Sequence, residues 1–393
     1  MSNNNENKLV PKLRFPEFKN DWNPEQLSDL IDYERPDSYI VKDTNYTTEG
    51  TPVLTANKSF ILGYTQESDG VCKDIPAIIF DDFTVDIKYV DFPFKVKSSA
   101  IKILRPKGKD DLKFVFELMS QIRFEAKEHK RYYISVYQNL RVPIPKPQEQ
   151  QKIAACLSSL DEVITAESRK LELLKEHKKG LLQNLFPLEG ETVPKLRFKE
   201  FENNGKCEET TLIQVADYEN GKAHEQDIED SGDFIIVNSK FISSDGEVKK
   251  FTNTAFCPAH KGDILMVLSD VPNGKAIAKC FIVEEDCSYT VNQRICRITS
   301  RNLNSKILYY LLNRNPYFLA FDDGVKQTNL RKEDVLNCPL LIPSDHKEQE
   351  KIAETLSSID DLINAQSQRI EALKMHKKGL LQGLFPDVNE VTK

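Results

Sequence analysis

The chain has 393 residues, of which 39% are hydrophobic, so it is too long for one ordinary core and suits two domains. It contains no run of about 18 apolar residues, and its polar start lacks the apolar centre of a signal peptide, so we expect a cytoplasmic protein that does not enter a membrane. The formal net charge of −7 argues mildly against nucleic acid as a partner, and eight scattered cysteines without a Cys-x-x-Cys pair predict reduced thiols rather than zinc sites or disulfides.

The charge is distributed unevenly over the first part of the chain. Residues 20–94 carry 5 basic and 15 acidic side chains, whereas residues 95–146 carry 13 basic and 5 acidic ones. The basic stretch is either an ordinary solvated face or a surface that binds phosphate, and charge alone does not separate the two.

The first half of the chain begins with the segment VPKLRFPEF at residues 10–18 and is predicted to form a domain over residues 1–147. Apolar runs predict two strands and one helix in it, over residues 77–80, 100–104 and 114–119. A short strand that ends in proline, residues 142–145, closes the domain. A segment rich in basic and aromatic residues, 130–139, comes just before that strand.

A long spacer helix is predicted next, over residues 148–187. Apolar residues recur there in alternating steps of four and three that skip the polar Glu167 and Lys178, the a/d pattern of a coiled coil: Ile153, Leu157, Leu160, Ile164, Leu171, Leu174, Leu181 and Leu185. Pro145 and Pro147 precede the pattern, and Phe186-Pro187 ends it because a proline ring cannot continue a helix. At 1.5 Å per residue, a periodic stretch of about 33 residues predicts a rod about 50 Å long.

Both fixed segments occur twice. The segment VPKLRFKEF at residues 193–201 differs from the first copy at one position in nine, and residues 347–386 match residues 148–187 at 25 of 40 positions. The regions between them, 19–147 and 202–346, show little resemblance to each other. Each half therefore consists of a fixed segment, a variable globular region and a fixed helix.

The second half is predicted to form a domain over residues 188–346, followed by a spacer helix and tail over residues 347–393. Apolar runs predict three strands, a helix and a closing strand in the domain, over residues 234–237, 263–268, 295–298, 307–312 and 340–343. The polar segment GVKQTNLR, residues 324–331, lies just before the closing strand.

Each spacer helix needs an apolar partner, and the simplest partner is the other helix of the same chain; dimerisation of two chains is the alternative. Because each helix follows its own domain, antiparallel pairing places one domain at each end. The sequence therefore predicts an α/β (α+β) fold with two globular mixed α/β domains, joined by two long antiparallel coiled-coil helices in a pseudo-two-fold arrangement. We also expect the start of the chain to meet the end of the second helix.

The segments before the closing strands carry side chains suited to reading DNA. Arg, Lys, Asn and Gln hydrogen-bond to base edges in the major groove, and apolar contacts are made to the thymine methyl group. An ordinary polar loop is the alternative for any one of these residues, and two lysines before apolar runs elsewhere are weaker candidates. The candidate DNA-binding residues are Lys58, Lys130, Arg131, Tyr132, Tyr133, Lys240, Lys326, Gln327, Asn329 and Arg331.

No catalytic centre is predicted. The sequence has no Gly-x-Gly cofactor loop, no Pro-Pro-aromatic methyltransferase site and no Gly-x-x-x-x-Gly-Lys phosphate loop. Asp82, Asp86 and Lys88 resemble a magnesium-dependent nuclease site only loosely. His177 and His376 occupy matching helical positions and are predicted to lie on the solvated helix surface. We therefore expect no catalytic residue, no metal and no cofactor in this chain.

Two unlike domains, each followed by IP…EQ(Q/E)KIA…LSS(L/I)D…KKGLLQ(N/G)LFP, resemble the specificity (S) subunit of type I restriction-modification enzymes. The resemblance covers essentially the whole chain, and the paired EQxKIA helices are its most specific part. The GVKQTNLR segment also fits the second recognition domain of that family, whereas ISVYQNLRVPIP in the first domain fits more loosely.

The resemblance implies that each domain is a target recognition domain, which reads one half of a bipartite, asymmetric site in double-stranded DNA. It implies that the helices separate the two halves and dock two methyltransferase (M) subunits, which bring S-adenosylmethionine and modify adenine. Motor-nuclease (R) subunits would join to cleave unmodified DNA with ATP and Mg²⁺. On this interpretation the chain is a non-catalytic subunit in DNA methylation and phage defence.

Three other interpretations stay open at the level of sequence. A stand-alone bidentate sequence-specific DNA-binding regulator would bind its site tightly without partners. A DNA nuclease or methyltransferase would show turnover as the pure chain. A protein-binding scaffold without DNA contact would bind its partners with little dependence on salt, because no counterions would be released from DNA.

Overall fold

A computed structural model of the chain describes residues 9–56, 59–124, 130–188, 190–286 and 288–387. The chain forms two compact units. Unit 1 consists of Met1–Arg169 with Ser367–Lys393, and unit 2 consists of Lys170–Gln366. Each unit therefore contains one globular domain together with a part of each long helix.

Unit 1 opens with strands and short helices and ends in the first long helix. Its elements in chain order are β1 Asn23–Gln26, α1 Leu27–Leu30, β2 Ile31–Glu34, β3 Thr51–Leu54, β4 Ile61–Thr65, β5 Ala77–Asp81, β6 Ile87–Val90, β7 Lys95–Val96, β8 Ile101–Pro106, α2 Leu112–Ser120, β9 Arg141–Ile144 and the start of α3 Pro147–Leu185, with single 3₁₀ turns at Asp37–Tyr39 and Tyr137–Asn139.

The domain of unit 1 is built around β5, whose residues are all buried. β5 lies inside a four-stranded sheet of order β2-β8-β5-β6, and a three-stranded sheet of order β4-β3-β7 lies beside it. Because side chains alternate along a strand, Ile78 and Phe80 enter the core shared with α2, whereas Ala77 and Ile79 enter the core shared with β3 and β7. One strand thus serves two cores.

Unit 2 contains the second domain and the remaining parts of the long helices. Its elements are β10 Glu208–Thr211, α4 Leu212–Val215, β11 Ala216–Asn220, β12 Phe234–Val237, α5 Ser239–Ser243, β13 Phe251–Thr252, β14 Pro258–Ala259, β15 Ile264–Val267, β16 Ser269–Asp270, β17 Cys280–Ile282, β18 Tyr289–Val291, β19 Ile295–Ser300, α6 Ser305–Leu312, α7 Pro316–Leu319, β20 Thr328–Asn329, α8 Lys332–Leu336, β21 Pro339–Ile342 and the start of α9 His346–Leu384, with a 3₁₀ turn at Lys199–Phe201.

The second domain repeats the plan of the first although the sequences differ. β15 is fully buried inside a sheet of order β11-β19-β15-β17, next to a second sheet of order β13-β12-β18-β14. Its alternate residues again enter two cores: Ile264 and Met266 face the core shared with α6, and Leu265 and Val267 face the core shared with β12 and β18. The alternation of apolar side chains therefore fixes the same position for β5 and β15.

The two long helices extend beyond the periodic apolar stretch. α3 and α9 have 39 residues each, which corresponds to about 58 Å at 1.5 Å per residue. The stretch of about 33 residues was shorter because it begins at Ile153 in α3 and at Ile352 in α9, after the first turns of the helices. Proline is tolerated in the first turn, where its missing N–H would have no partner in any case.

Within unit 1 the helix segments pack antiparallel. Leu157, near the start of α3, shares a core with Leu384 at the end of α9. One turn further along α3, Asp161 accepts a hydrogen bond from Lys377 at 2.7 Å, so the partner residue lies earlier in α9. The predicted direction of pairing is thus confirmed in this unit.

Unit 2 has the same antiparallel packing with the helices exchanged. Leu185, at the end of α3, shares a core with Ile352 at the start of α9. Lys178, earlier in α3, forms an ion pair with Asp360, later in α9. The predicted fold of two mixed α/β domains with two long antiparallel helices is therefore confirmed.

The two copies of VPKLRF are tied to the helices in the same way. In unit 1, Arg14 donates from Nε and Nη2 to the two carboxylate oxygens of Glu149, both at 2.8 Å. In unit 2, Arg197 Nε donates to Glu348 Oε1 at 2.7 Å. Both glutamates belong to the EQ(Q/E)KIA motif and are buried. In each unit, therefore, one VPKLRF segment packs against the first turns of one long helix, and this pair of elements is what the sequence repeats.

The first VPKLRF segment packs against the end of the second helix, close to where the start of the chain was expected, although residues 1–8 lie outside the described residues. Leu13 N–H donates to Gly383 O at 2.8 Å in unit 1, and the matching bond in unit 2 joins Leu196 N–H to Asn184 O, also at 2.8 Å.

The predicted strands and helices of both domains are confirmed to within a few residues. The sequence did not indicate β1 and β10, which pair antiparallel with the closing strands β9 and β21.

Candidate nucleic-acid interface

In unit 1 the segment before the closing strand is anchored to the end of β5. Asp82 follows β5, and its carbonyl oxygen accepts a hydrogen bond from Tyr132 N–H at 2.9 Å. Its carboxylate accepts a second bond from Tyr133 N–H at 2.8 Å and forms an ion pair with Lys102 at 3.4 Å. We name residues 130–133 anchored loop 1.

In unit 2 the segment before the closing strand is anchored in the matching place. Leu268 follows β15, and its carbonyl oxygen accepts from Leu330 N–H at 2.8 Å. β16 and β20 pair next to it, with Ser269 opposite Asn329, and Gln327 Nε2 donates to Ser269 Oγ at 2.8 Å. We name residues 324–331 anchored loop 2.

The hydrogen bonds show that the two loops are structural equivalents. On the far side of anchored loop 1, Leu140 O accepts from Leu27 N–H at 3.0 Å; on the far side of anchored loop 2, Cys338 O accepts from Leu212 N–H at 3.1 Å. Leu140 comes eight residues after Tyr132, and Cys338 comes eight residues after Leu330. The two loops therefore align without a gap, with Lys130 and Arg131 at the positions of Thr328 and Asn329. Two segments without sequence similarity thus occupy equivalent positions in the two domains.

Anchored loop 2 presents polar side chains to solvent on a fixed backbone. Lys326, Gln327, Asn329 and Arg331 are all exposed. The Asp323 carboxylate accepts from Lys326 N–H at 3.0 Å and from Val325 N–H at 2.9 Å, and these bonds lower the pKa of Asp323. A loop that is held by its own backbone contacts keeps its side chains available for a ligand.

Anchored loop 1 presents fewer of the predicted side chains. Lys130 and Arg131 are exposed. Tyr132 and Tyr133 are only 3% and 1% exposed, so their assignment to DNA contact was wrong. The Tyr133 ring lies edge-on to Phe80, with centroids 5.2 Å apart, and burial raises the pKa of its hydroxyl well above the usual range. These two rings belong to the core because the backbone bonds to Asp82 draw them inward.

The weaker candidates do not join the loops. Lys58 lies outside the described residues. Lys240 is exposed on α5, beside β12 in the second sheet, and among the described residues no hydrogen bond joins α5 to anchored loop 2. The structure therefore gives Lys240 no place in this surface.

The structure adds residues that the sequence analysis missed. Leu268 N–H donates to Arg294 O at 2.9 Å, so the turn before β19 lies beside anchored loop 2. Gln293 and Arg294 are exposed there, and no described hydrogen bond or ion pair uses the Arg294 side chain. Lys222 is also exposed, and its N–H donates to Val291 O at 2.9 Å. The signal in the sequence was the polar run Asn-Gln-Arg between two apolar strands.

The turn beside anchored loop 1 has a different composition. Asp82 N–H donates to Ala100 O at 2.9 Å, which makes Ala100 the counterpart of Arg294. Two equivalent surfaces with different side chains can distinguish different DNA sequences, because each base pair presents its own pattern of donors and acceptors in the major groove.

Asp82 and Asp86, which loosely resemble a nuclease site in the sequence, make structural contacts within unit 1. Asp82 anchors the loop, and Asp86 Oδ2 accepts from Thr84 Oγ1 at 2.8 Å. Within the described residues, no group of three or more His, Cys, Asp or Glu side chains could hold a metal ion.

A membrane span is not found either: in the described part of the chain, no helix combines the necessary length and apolarity.

Sequence comparison matches residues 19–176 and 204–375 to the family model of the type I restriction modification DNA specificity domain. The chain is 29% identical over 377 residues to the type I restriction enzyme EcoR124I/EcoR124II specificity subunit of Escherichia coli, with 88% of each chain covered. It is 25% identical over 418 aligned residues to the type I restriction enzyme MjaVIII specificity subunit of Methanocaldococcus jannaschii, with 95% of this chain and 93% of the relative covered.

Solved structures show the same fold. The S subunit of a type I restriction-modification system from M. genitalium superposes with a TM-score of 0.65 at 16% identity, covering 96% of this chain and 99% of the other. A chain from a study of complex assembly and conformational transition of the type I R-M system gives a TM-score of 0.54 at 15% identity, covering 93% and 98%.

Proposed function

The chain belongs to the family of type I restriction modification DNA specificity domains, and from this premise we propose how it reads DNA. It is a specificity subunit, the component of a type I restriction-modification system that recognises the DNA target and carries no catalytic centre. Anchored loop 1 and the turn beside it read one half of a bipartite, asymmetric site, and anchored loop 2 with its turn reads the other half.

The observation that carries this proposal is the matched anchoring of two dissimilar loops. Asp82 in unit 1 and Leu268 in unit 2 each hold a loop and a turn together by backbone hydrogen bonds. The backbone is thereby fixed by contacts that do not depend on the exposed side chains, which are free to differ. Exposed Arg, Lys, Gln and Asn side chains then supply direct readout of base edges.

The overall acidity of the chain is compatible with this role. Specific complexes gain much of their affinity from phosphate contacts made by basic side chains. We propose that two methyltransferase subunits supply part of these contacts, together with S-adenosylmethionine chemistry on adenine. Motor-nuclease subunits would add ATP-dependent cleavage, and the complex would act in the cytoplasm, where its DNA target lies.

Methylation mapping tests the proposed function. The chain is produced together with its methyltransferase subunits in cells, and the methylated adenines are located by long-read sequencing. We expect one bipartite motif with two defined halves and an unread spacer. The pure chain should neither methylate nor cleave DNA.

Two outcomes would contradict the proposal. A methylation motif that does not depend on the presence of this chain would remove its role in recognition. Tight, specific binding by the pure chain together with no association with methyltransferase subunits would favour the stand-alone regulator.

A further inference from the structure

The connection between β15 and β17 is longer than its counterpart between β5 and β6 in unit 1. Met266 pairs with Cys280 across it, as Phe80 pairs with Ile87 in unit 1. Met266 and Phe80 are equivalent, because each lies two residues before the residue that anchors the loop of its domain. Thirteen residues lie between the paired residues in unit 2 and only six in unit 1. The fold does not require the additional residues, since unit 1 builds the same sheet without them.

The exposed part of this connection, residues 271–275, is held in a fixed shape, and we name it the extended loop. The carboxylate of Asp270 at its base accepts a hydrogen bond from Ala276 N–H at 2.6 Å, and Gly274 N–H donates to Val271 O at 2.9 Å. A Cβ built on Gly274 would collide with the Asp270 carboxylate, so this position requires glycine. The loop is therefore shaped by its own contacts before any ligand binds.

The extended loop is fastened to anchored loop 2. Asn273 Nδ2 donates to Gly324 O at 3.1 Å. Asn273 has a φ of 54°, the left-handed region that asparagine adopts more readily than most residues. The added residues of unit 2 thus join the surface that carries the candidate base-reading side chains.

Two valines make this part of the surface apolar. Val271 is 63% exposed and Val325, the residue after Gly324, is 75% exposed. Among the large hydrophobic side chains of the described residues, these two and Met375 are the three most exposed. Neither valine belongs to a hydrophobic core described for unit 2. A single exposed valine is ordinary, but two on loops that are bonded together offer a small apolar contact surface.

The charge next to the valines argues against contact with the DNA backbone. The carboxylate of Asp323 accepts a hydrogen bond from Val325 N–H at 2.9 Å, so a negative charge lies beside this valine. That charge repels phosphate groups. Among the base edges exposed in the major groove, thymine presents an apolar group, its C5 methyl, and apolar side chains recognise it by direct contact.

We propose that Val271 and Val325 pack against the C5 methyl group of a thymine, so that unit 2 recognises an A·T pair in its half-site through an apolar contact. This inference rests on the proposed function, in which anchored loop 2 reads one half of the DNA site. Because unit 1 lacks the extended loop, the contact belongs to one half-site only.

The test measures the affinity of the complete methyltransferase complex for its own DNA site by fluorescence anisotropy. Each thymine of both half-sites is replaced in turn by deoxyuridine, which lacks only the C5 methyl group. One replacement should weaken binding about fourfold, the effect of losing one buried methyl-sized group. The double variant with Val271→Ala and Val325→Ala should bind the thymine and deoxyuridine sites equally, and thermal denaturation checks that it is folded.

Val248→Ala is the matched control, because Val248 is a valine of unit 2 that is 40% exposed and whose N–H donates to Ser244 Oγ, away from both loops. It should keep the full sensitivity to deoxyuridine. No effect of deoxyuridine at any position, or the same fourfold effect in the double variant, would overturn the proposal. Loss of a methyltransferase subunit by the double variant in native mass spectrometry would show that the valines bind protein instead.

The failure of this inference is distinguishable from failure of the proposed function. A complex that methylates a bipartite site but ignores the thymine methyl groups would contradict only the apolar contact. A half-site pair without any thymine would have the same meaning. A complex whose methylation motif does not depend on this chain would contradict both.

Discussion

Arg331 has the features of a base-reading side chain: it is exposed, and its backbone is fixed by a hydrogen bond from its N–H to Asp334 Oδ2 at 2.7 Å. Gln327 differs, because its amide already donates to Ser269 Oγ and to Asn329 Oδ1. We therefore expect Arg331→Ala to relax one position of one half-site, at a cost of about 1–3 kcal/mol for a lost bidentate contact. Gln327→Ala should disturb the same half-site by loosening the loop.

Mapping of methylated motifs checks this prediction, with Arg301→Ala as control. Arg301 follows β19 and is paired with Asp217 at 2.7 Å. Relaxation of both half-sites by Arg331→Ala, or an unchanged motif, would remove anchored loop 2 from the reading surface.

Arg294 is expected to read DNA next to Arg331. It precedes Ile295, the first residue of β19, whereas Arg301 follows the last residue of the same strand, so the two arginines lie at opposite ends. Arg294→Ala should weaken binding to the cognate site in the complete methyltransferase complex, while Arg301→Ala should not. Binding isotherms at several salt concentrations distinguish the type of contact: loss of a phosphate contact reduces the salt slope by about 1, and loss of a base contact changes sequence preference instead. Equal effects of both substitutions would contradict the assignment.

The sequence could indicate part of this surface at the level of residues. Anchored loop 2 was predictable because a polar run beside a glycine stood just before a closing strand. Tyr132 and Tyr133 were assigned wrongly because composition does not tell which way an aromatic ring faces; the backbone bonds to Asp82 decide that. Arg294 was missed because its position beside the loop depends on the pairing of Leu268 with residues far along the chain.

At the level of elements, a polar cluster fixes the helix pairing in unit 1. Lys377 donates to both Asp161 oxygens, at 2.7 and 2.9 Å, and to Glu117 at 3.0 Å. Burial alone would raise the pKa of Asp161, but the hydrogen bonds from Lys377 and Lys113 lower it below its usual value. A carboxyl group with a lowered folded-state pKa stabilises the fold above its unfolded pKa of about 3.9, and that contribution is lost as the pH falls further.

We therefore expect the melting temperature to fall as the pH is lowered from 5 to 3. Asp161→Asn should make this fall smaller and should also lower the melting temperature at pH 7. Thermal denaturation across this range is the measurement. Glu172→Gln, on an exposed pair with Lys175 in α3, is the control and should change little. An unaltered pH profile in Asp161→Asn would show that the cluster does not contribute.

The elements differ in how far the sequence determined them. The long helices were clear because a heptad pattern persists over many turns, and only the residues before Ile153 and Ile352 lie outside that pattern. β5 and β15 were clear as buried apolar runs. β1 and β10, with the sequences NPEQ and EETT, carry almost no apolar signal. They become strands because the closing strands offer them hydrogen bonds, which is information from distant residues.

At the level of the whole molecule, each compact unit combines one globular domain with segments of both long helices, and the limits of the units fall within α3 and α9. The domain limits at the ends of the helices stay a prediction from the sequence. The division lies next to Glu167 and Gln366, the polar residues that interrupt the apolar seam at matching positions. The antiparallel pairing that the sequence predicts brings the end of α9 into unit 1 and the end of α3 into unit 2.

This division suggests a test of the helices as a ruler between the half-sites. Four residues inserted after Ser168 and four after Ser367, the matching position, would lengthen both helices equally. Four residues add about 6 Å at 1.5 Å each and exceed one turn of 3.6 residues only slightly, so the apolar seam is nearly kept. DNA rises about 3.4 Å per base pair. We expect the unread spacer to grow by about one or two base pairs, with both half-sites unchanged.

The control inserts two residues at each of the same positions, which turns the following seam by about 200° and should destabilise the protein. Methylation mapping of each variant in the complete methyltransferase complex gives the motif, and thermal denaturation gives the stability. Full activity with an unchanged spacer in the four-residue variant would show that the helices do not set the distance. A changed half-site would show that the units do not read DNA independently, because the insertions lie more than 25 residues in sequence from either anchored loop.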